Sequence, residues 1–187
     1  MRLVIALAVL GGCGANIVAG STEDDAGTDA TGRRPDGGAV DAAADAIADA
    51  PPCTAGDMHA TAPDGSCLML VLAPHSFASA RATCAGLGAH LAILTTPALD
   101  TAAEALVGNV DTFIGLSDEV TEGSFVWVDG TPLAFSNWEV GEPNNGNGGT
   151  PEDCAIIAGA RPEKTWDDRP CAPSGNGSGL YAALCQR

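Results

Sequence analysis

The chain has 187 residues and carries 24 acidic side chains against 8 lysines and arginines, so its formal net charge at pH 7 is −16. This balance argues against nucleic-acid binding, which depends on lysine and arginine side chains that neutralise phosphates. It is compatible with the binding of divalent cations, which prefer carboxylate oxygens.

Residues 1–13 have the layout of an export signal, with one arginine ahead of an apolar run. The run is too short to span a bilayer comfortably. It ends at Leu10-Gly11-Gly12-Cys13, which resembles a bacterial lipobox, where the signal is cut before a cysteine that is then acylated. An ordinary signal peptide with an incidental cysteine is the alternative. We predict lipidation at Cys13 and an exported lipoprotein anchored in a bacterial envelope, periplasmic or at the cell surface.

Residues 14–52 are rich in Ala, Gly, Asp and Thr and contain almost no large apolar side chains. Such a segment cannot bury enough apolar surface to offset the entropy lost on ordering. We predict a disordered acidic tether that ends at Pro51-Pro52.

Residues 53–187 carry every aromatic residue and six of the seven cysteines, and we expect them to form one domain. A first helix is predicted over residues 76–87, because its apolar side chains recur on one face and Gly88 follows as a stop. A second helix is predicted to begin at Thr96-Pro97, a capping residue followed by proline at the first position, and to end at Gly108.

Short strands dominate the rest of the domain. They are predicted at residues 89–94, 112–116, 125–128, 154–158 and 180–184. Residues 129–153 form a long polar segment rich in Gly, Asn and Pro, and a loop of this length in a compact domain is usually functional. Two helices combined with short strands predict a small α+β domain.

Oxygen-bearing side chains concentrate in the long segment and just after it. The five candidates are Glu142, Asn144, Glu152, Asp167 and Asp168. Ca²⁺ takes six to eight oxygen ligands in flexible geometry, so this set is a plausible calcium cage. A solvated acidic loop is the alternative, since acidic surface is common.

The six cysteines of the domain are Cys53, Cys67, Cys84, Cys154, Cys171 and Cys185. An even count in a small exported domain predicts a disulfide framework, and Cys13 is the odd one out. No CxxC pair is present, which argues against a zinc site.

The ordered series of motifs across residues 53–187 resembles the C-type lectin-like domain in its long form. The series begins with the cysteine-bearing first helix and GAHLAIL at 88–94. It continues with Phe113-Ile114-Gly115-Leu116, Trp127, Asn137-Trp138, Glu142-Pro143-Asn144, Glu152-Asp153-Cys154 and Trp166-Asp167-Asp168. The resemblance implies the C-type lectin fold: two helices, small antiparallel sheets and a long calcium-binding loop, stapled by disulfides. The implied pairs are Cys53–Cys67, in an N-terminal hairpin typical of the long form, Cys84–Cys185 and Cys154–Cys171.

The resemblance also implies two calcium sites. The principal site carries over to Glu142, Asn144, Glu152, Asp167 and Asp168, with a cis peptide bond before Pro143. An auxiliary site carries over to Asp118, Glu122, Glu152, Asp153 and Asn145, where Asn145 replaces the usual Asp and should lower the affinity.

The same resemblance implies carbohydrate binding through Ca²⁺, with Glu142, Asn144, Glu152 and Asp167 bound to the hydroxyls of a hexose. The Glu-Pro-Asn order resembles the mannose-type arrangement. The family usually has Asn where this chain has Asp167, and a carboxylate cannot donate a hydrogen bond to a sugar oxygen. On this argument, Asp167→Asn should strengthen mannose binding.

Three functional classes follow from the sequence: a calcium-dependent lectin, a protein-binding module on the same scaffold, and a structural module whose calcium only orders the loop. No nucleophile motif such as G-x-S-x-G is present, and calcium accounts for the candidate carboxylates. We therefore predict a protein that is not an enzyme. Trp127, Trp138 and Trp166 are expected to be core residues rather than a stacking platform for sugars.

Overall fold

The structure is a computed structural model that describes residues 52–173 and 179–187. The predicted signal at 1–13, the lipidation site Cys13 and the tether up to Pro51 lie outside the described residues. Those that are described belong to one compact unit, residues 48–187. No helix within them has the length and apolar character needed to cross a membrane.

Two α-helices form where the capping signals predicted them. Helix α1 spans Phe77–Gly86, and the side chain of Ser76 accepts a hydrogen bond from the Ser79 amide at its N-terminus. Helix α2 spans Pro97–Val107, with Thr96 as the N-cap and Gly108 as the C-cap. Each N-cap hydroxyl satisfies an amide that has no partner inside the helix.

Eight strands form one sheet. They are β1 (Met58–Thr61), β2 (Cys67–His75), β3 (His90–Leu91), β4 (Thr112–Ser117), β5 (Val126–Trp127), β6 (Cys154–Ile157), β7 (Trp166–Arg169) and β8 (Tyr181–Gln186). The order is β1-β2-β8-β4-β6-β7, with β3 beside β8 and β5 beside β4. Strands β4 and β8 pair in parallel and the other pairs are antiparallel. The α+β class is confirmed, but one mixed sheet replaces the small antiparallel sheets that were expected.

Two strands are shorter than predicted. The segment 89–94 contributes only β3, because the Ile93 amide donates to the side-chain oxygen of Gln186 (2.8 Å) instead of continuing the ladder. The segment 125–128 contributes only β5. Strand β7 was not predicted, whereas β1 and β2 form the N-terminal hairpin that the long-form resemblance implied.

Both faces of the sheet are buried, and the central strands alternate between two apolar clusters. In β4, Phe113 packs in the cluster that contains Phe77 of α1, whereas Ile114 packs with Leu99 of α2. Strands β2, β6 and β8 alternate in the same way. Because successive side chains of a strand point to opposite faces, each helix covers one face of the sheet.

The three disulfides implied by the resemblance are present: Cys53–Cys67, Cys84–Cys185 and Cys154–Cys171. Cys84–Cys185 links α1 to β8, and Cys154–Cys171 links the start of β6 to the residues after β7. The third disulfide therefore closes the base of the region between β6 and β7, next to the long segment 129–153.

Candidate functional site

Two adjacent strands support the candidate site. Strands β6 and β7 are antiparallel, with Ala155 opposite Asp168 and Ile156 opposite Asp167. Trp166, at the start of β7, is fully buried, and its ring packs edge-on against Trp127 and Trp138. The two aspartates are therefore held by a strand that is anchored in the core.

The long segment is tied to β7 through its backbone. The amide of Asn144 donates to both carboxylate oxygens of Asp168, at 3.0 and 3.1 Å, and the amide of Asn145 donates to Oδ2 at 2.7 Å. The bond between Glu142 and Pro143 is cis, as expected. Asp168 is only 1% exposed, and its hydrogen bonds fix the Glu-Pro-Asn turn.

Three carboxylates meet at this turn. Ligand atoms of Glu142, Asp167 and Asp168 all lie within 4.8 Å of one another. Burial, followed by repulsion from Asp167 and Asp168, raises the pKa of Glu142 to about 7. Burial also raises the pKa of Asp167, against the attraction of Arg169 and Arg161. The cluster therefore concentrates negative charge that favours a cation.

Two buried oxygens at the cluster have no hydrogen-bond partner among the described residues: Oδ1 of Asn144 and Oδ1 of Asp167. The amide nitrogen of Asn144 donates to Glu142, so the carbonyl oxygen is the free end of that side chain. Unpartnered buried oxygens are costly, and a metal ion is one group that satisfies them. Hard oxygen atoms from carboxylates and an amide are the ligands that Ca²⁺ prefers, so these residues fit that ion.

Two arginines, which sequence reasoning missed, border the cluster. Oδ2 of Asp167 accepts from Arg161 at 2.8 Å and from Arg169 at 2.5 Å. Arg169 also lies 3.5 Å from Oε1 of Glu152. This contact places Glu152 beside Asp167, so the structure brings all five predicted principal ligands into one region. Arg169 directly follows the aspartate pair, and that adjacency was the available signal.

Most residues of the predicted auxiliary site also lie together. The Asp118 amide donates to the Asp153 carbonyl at 3.0 Å, and the Gly123 amide donates to Oδ2 of Asp118 at 2.7 Å. Burial, with repulsion from Glu122 and Asp153, raises the pKa of Asp118. Buried Oδ1 atoms of Asp118 and Asp153 lack a partner within residues 52–173 and 179–187. The side-chain oxygen of Asn145 instead accepts from the Glu152 amide at 2.8 Å, which leaves it a weaker candidate ligand.

A buried aspartate of α2, Asp100, is hydrogen-bonded to two residues that adjoin the site. Oδ1 of Asp100 accepts from the indole nitrogen of Trp166 at 2.8 Å, and Oδ2 accepts from Asn137 at 2.8 Å. Asp100 is 3% exposed, and burial, as the largest cause, raises its pKa to about 6. The sequence offered no signal for it beyond an aspartate in the first turn of a helix. Trp127 and Trp166 are core residues as predicted, and Trp138 packs against the core from a half-buried position.

The domain is similar to known proteins of one family. The profile described as Lectin C-type domain matches residues 73–176. The chain is 38% identical over 110 residues to human C-type lectin domain family 4 member E, covering 57% of this chain and 49% of that protein. It is 39% identical over 95 residues to the chicken mannose-binding protein, covering 50% of this chain and 35% of that protein. The chain thus spans about half or less of the length of these animal relatives.

Three of the solved structures that resemble this fold illustrate the similarity. The carbohydrate-recognition domain of cow CD23, solved in the presence of a GlcNAc2Man3 oligosaccharide, aligns with a TM-score of 0.57 and 30% identity over 65% of this chain and 87% of that chain. The human scavenger receptor C-type lectin domain aligns with a TM-score of 0.60 and 26% identity over 72% and 98%. A calcium-independent type II antifreeze protein aligns with a TM-score of 0.58 and 25% identity over 74% and 95%. With its profile match, its three disulfides and its fold, the chain belongs to the C-type lectin domain family.

Proposed function

We propose that the domain binds carbohydrate through Ca²⁺ held by the long loop and β7. The observation that carries this proposal is the pair of buried, unpartnered oxygens, Oδ1 of Asn144 and Oδ1 of Asp167, beside the three clustered carboxylates. Both atoms belong to side chains that the family resemblance assigned to calcium.

Glu142, Asn144, Glu152, Asp167 and Asp168 would hold the ion. When bound, Ca²⁺ supplies a hard cation that coordinates sugar hydroxyl oxygens. The carboxylates of Glu142 and Glu152 would accept hydrogen bonds from the same hydroxyls, because ionised carboxylates are acceptors only. Asp168 would have a second role, since its two oxygens already fix the backbone of Asn144 and Asn145.

A mannose-type hexose is the ligand class we propose. The Glu142-Pro143-Asn144 order supports it, as does the similarity to a mannose-binding protein and to a CD23 domain solved with a mannose-containing oligosaccharide. The relatives are lectins and receptors, in keeping with a binding role rather than an enzymatic one. A protein-binding or structural module is the second candidate, and the likeness to a calcium-independent antifreeze protein favours it.

The first test is calcium binding. Ca²⁺ should raise the melting temperature, because a ligand that binds only the folded state stabilises that state. Asp168→Ala should abolish the rise, Asp118→Ala should reduce it only in part, and Glu163→Ala, at an exposed acidic residue of the β6–β7 loop, should leave it intact. Absence of any thermal shift or heat of binding at millimolar Ca²⁺ would contradict the calcium site.

The second test is a glycan array run in calcium and in chelator. Binding of mannose-type glycans that is lost in chelator and in Asp168→Ala supports the lectin function. A calcium-dependent thermal shift without binding to any glycan would favour the protein-binding or structural module instead.

We also propose that the full chain is exported and lipid-anchored at Cys13, on the lipobox-like sequence Leu10-Gly11-Gly12-Cys13. The mature protein should carry acyl mass at its N-terminus and partition into detergent. One acyl chain anchors a protein only marginally, so stable attachment requires more than one. A Cys13→Ser protein that stays membrane-bound to the same extent would contradict this assignment.

A further inference from the structure

Strand β1 is an edge of the sheet. Among the described residues it pairs only with β2, in antiparallel register over Met58–Thr61. Three of its four residues are exposed, and Ala60 is half-buried. The outer side of an edge strand presents backbone N–H and C=O groups that can pair with another chain.

The opposite edge of the sheet, β7, is protected. The Trp166 amide donates to the Asn137 carbonyl at 2.7 Å, and the Glu139 amide donates to the Trp166 carbonyl at 2.9 Å. Three of the four residues of β7 are also charged. Coverage, charged side chains, proline and bulges are the usual protections of a sheet edge. Strand β1, with the sequence Met-His-Ala-Thr, has no charged residue and no proline, and its register with β2 is uninterrupted.

The register shows which backbone groups of β1 are open. Cys67 in β2 exchanges both of its backbone hydrogen bonds with the residue after β8, at 2.9 and 3.1 Å. Successive residues of a strand alternate in this respect, so Leu68 directs its backbone groups towards β1, where it lies opposite Ala60. His59 and Thr61, on either side of Ala60, therefore direct their N–H and C=O groups away from β2.

We propose that β1 pairs with β1 of a second copy of the chain, antiparallel and about a twofold axis at Ala60. In this register His59 of each copy lies opposite Thr61 of the other, and each such pair exchanges two backbone hydrogen bonds. The four bonds join the two sheets into one. The two Ala60 side chains meet at the axis, where their small size lets the strands approach.

The start of the described chain supports a second copy as the partner. Cys53 and Ala55 pack in the cluster that contains Phe77, on the face of the sheet that α1 covers. A twofold axis perpendicular to the sheet keeps that face on the same side in both copies. Residues 1–51 of both copies are therefore joined to one face of the dimer, so both copies can attach to one surface. Attachment to a shared surface raises the effective concentration of the partners.

The chain itself offers a poorer partner for this edge. Residues 14–51 consist mainly of Ala, Gly, Asp and Thr, and the first three of these are depleted in strands. The region also carries an excess of carboxylates, which remain hydrated more favourably than they pair along an apolar strand.

The dimer would hold its two candidate cation sites far apart. These sites lie beside β7, at the edge opposite β1. Eleven strand spacings would separate the two copies of β7, a distance on the order of 50 Å. Two such sites could bind a surface that carries many copies of one ligand more tightly than a single site could. The pairing itself requires neither calcium nor a ligand.

The first test is cross-linking of the full chain in a Cys13→Ser background, which removes the unpaired cysteine. Ala60→Cys should form a disulfide-linked dimer on mild oxidation, because the two Cα atoms would lie about 4.5 Å apart. Met58→Cys is the matched control: it lies on the same face and is more exposed, 42% in the wild type. In the proposed register its two Cα atoms would be about 14 Å apart, too far for a disulfide.

The second test is sedimentation of the full chain in chelator. A dimer with a dissociation constant in the micromolar range is expected, because two short strands bury less surface than a standard interface. His59→Pro removes two of the four bonds without removing a donor to β2, and should raise that constant about tenfold or more. His59→Ser keeps the N–H group and should leave the constant unchanged. The melting temperature of each variant in chelator shows whether it is folded.

A chain that stays monomeric throughout a micromolar concentration series would overturn the proposal, as would cross-linking of Met58→Cys as efficient as that of Ala60→Cys. A folded His59→Pro protein that dimerises like the wild type would also overturn it. If His59→Pro does not fold, the cross-linking pair decides alone. A monomer whose His59 and Thr61 amides are protected from hydrogen exchange would show that another segment of the same chain covers the edge, and the proposal would be wrong.

Discussion

Arg161, in the loop between β6 and β7, donates a hydrogen bond to Oδ2 of Asp167, in β7, at 2.8 Å. The Asp167 side chain is fully buried, and that of Arg161 is 35% exposed. Arg161 also pairs with Glu139, so it joins the long segment to β7. Asp167 stands where the family usually has asparagine, and its negative charge is therefore balanced by Arg161, which lies outside the Trp166-Asp167-Asp168 motif.

This pairing predicts that Asp167→Asn lowers the stability of the domain, whatever its effect on mannose binding. An asparagine at position 167 would have no negative charge, so it would either accept weaker hydrogen bonds from Arg161 and Arg169 or turn its NH2 group towards them. The variant should therefore be less stable by about 1–3 kcal/mol. Urea unfolding in chelator measures this difference. Gain of mannose binding by the single variant, with no loss of stability, would contradict the compensation.

A second variant separates charge compensation from loss of packing. Adding Arg161→Gln to Asp167→Asn should cost less than the sum of the two single changes, because contacting partners are not additive. Arg81→Gln, on the exposed surface of α1, provides a control arginine whose effect should add independently. Strict additivity of Arg161→Gln with Asp167→Asn would show that the pair does not interact.

The buried carboxyl of Asp100 should make stability depend on pH. Because its pKa rises from 3.8 to about 6 on folding, the native state binds more protons than the unfolded state between these values. Its contribution is therefore greatest below pH 3.8 and declines as the pH rises to about 6. The shift corresponds to at most about 3 kcal/mol. The unfolding free energies of wild type and Asp100→Asn are measured without calcium at pH 4 and pH 6.5. Relative to Asp100→Asn, the wild type should be less stable at pH 6.5 than at pH 4. Parallel pH profiles would contradict the prediction.

The disulfides should differ in their effect on stability and on calcium. Cys84–Cys185 closes a separation of 101 residues and Cys154–Cys171 one of 17. In the chain-entropy account, their removal should cost about 4.7 and about 3 kcal/mol respectively. Replacement of Cys154 and Cys171 by alanine should also reduce the calcium-induced thermal shift more strongly, because this pair closes the base of the site. Equal calcium-induced thermal shifts in the two double variants would show that the Cys154–Cys171 disulfide does not support the site.

Gly115 should not tolerate a side chain. A Cβ at this position of β4 would lie 2.7 Å from the Leu91 carbonyl oxygen and 2.9 Å from Cγ2 of Val128. Gly115→Ala should therefore destabilise the domain by about 1–3 kcal/mol. Gly86→Ala, at the end of α1 where nothing lies within 4 Å, is the control and should be neutral or stabilising. A thermal melt of both variants checks the difference.

Helix boundaries could be predicted from the sequence because capping is local. Thr96, Pro97 and Gly108 mark α2 without reference to any distant residue, and the structure places the helix between them. The disulfides and the cluster around the Glu-Pro-Asn turn came from the family resemblance, since pairing over such separations leaves no local trace.

Strand β7 could not be predicted because its residues are mostly charged. Asp167 and Asp168 look like loop residues in isolation, yet both are buried. Their burial depends on Arg161, Arg169 and the backbone amides of Asn144 and Asn145, which are distant in the sequence or belong to other elements. The shortening of β3 has a similar origin, because it follows from a side-chain bond of Gln186 to Ile93.

The pairing of β2 with β8 brings the two ends of the described domain together. The Arg187 amide donates to the Cys67 carbonyl at 3.1 Å, and its guanidinium donates to the Pro52 carbonyl at 3.0 Å. Residues 52 and 187 are thus close enough for a short peptide linker to join them. A circularly permuted protein opened at an exposed turn, such as Asp129-Gly130, should keep every sheet pairing. For the same reason, the domain should tolerate insertion into a surface loop of a host protein.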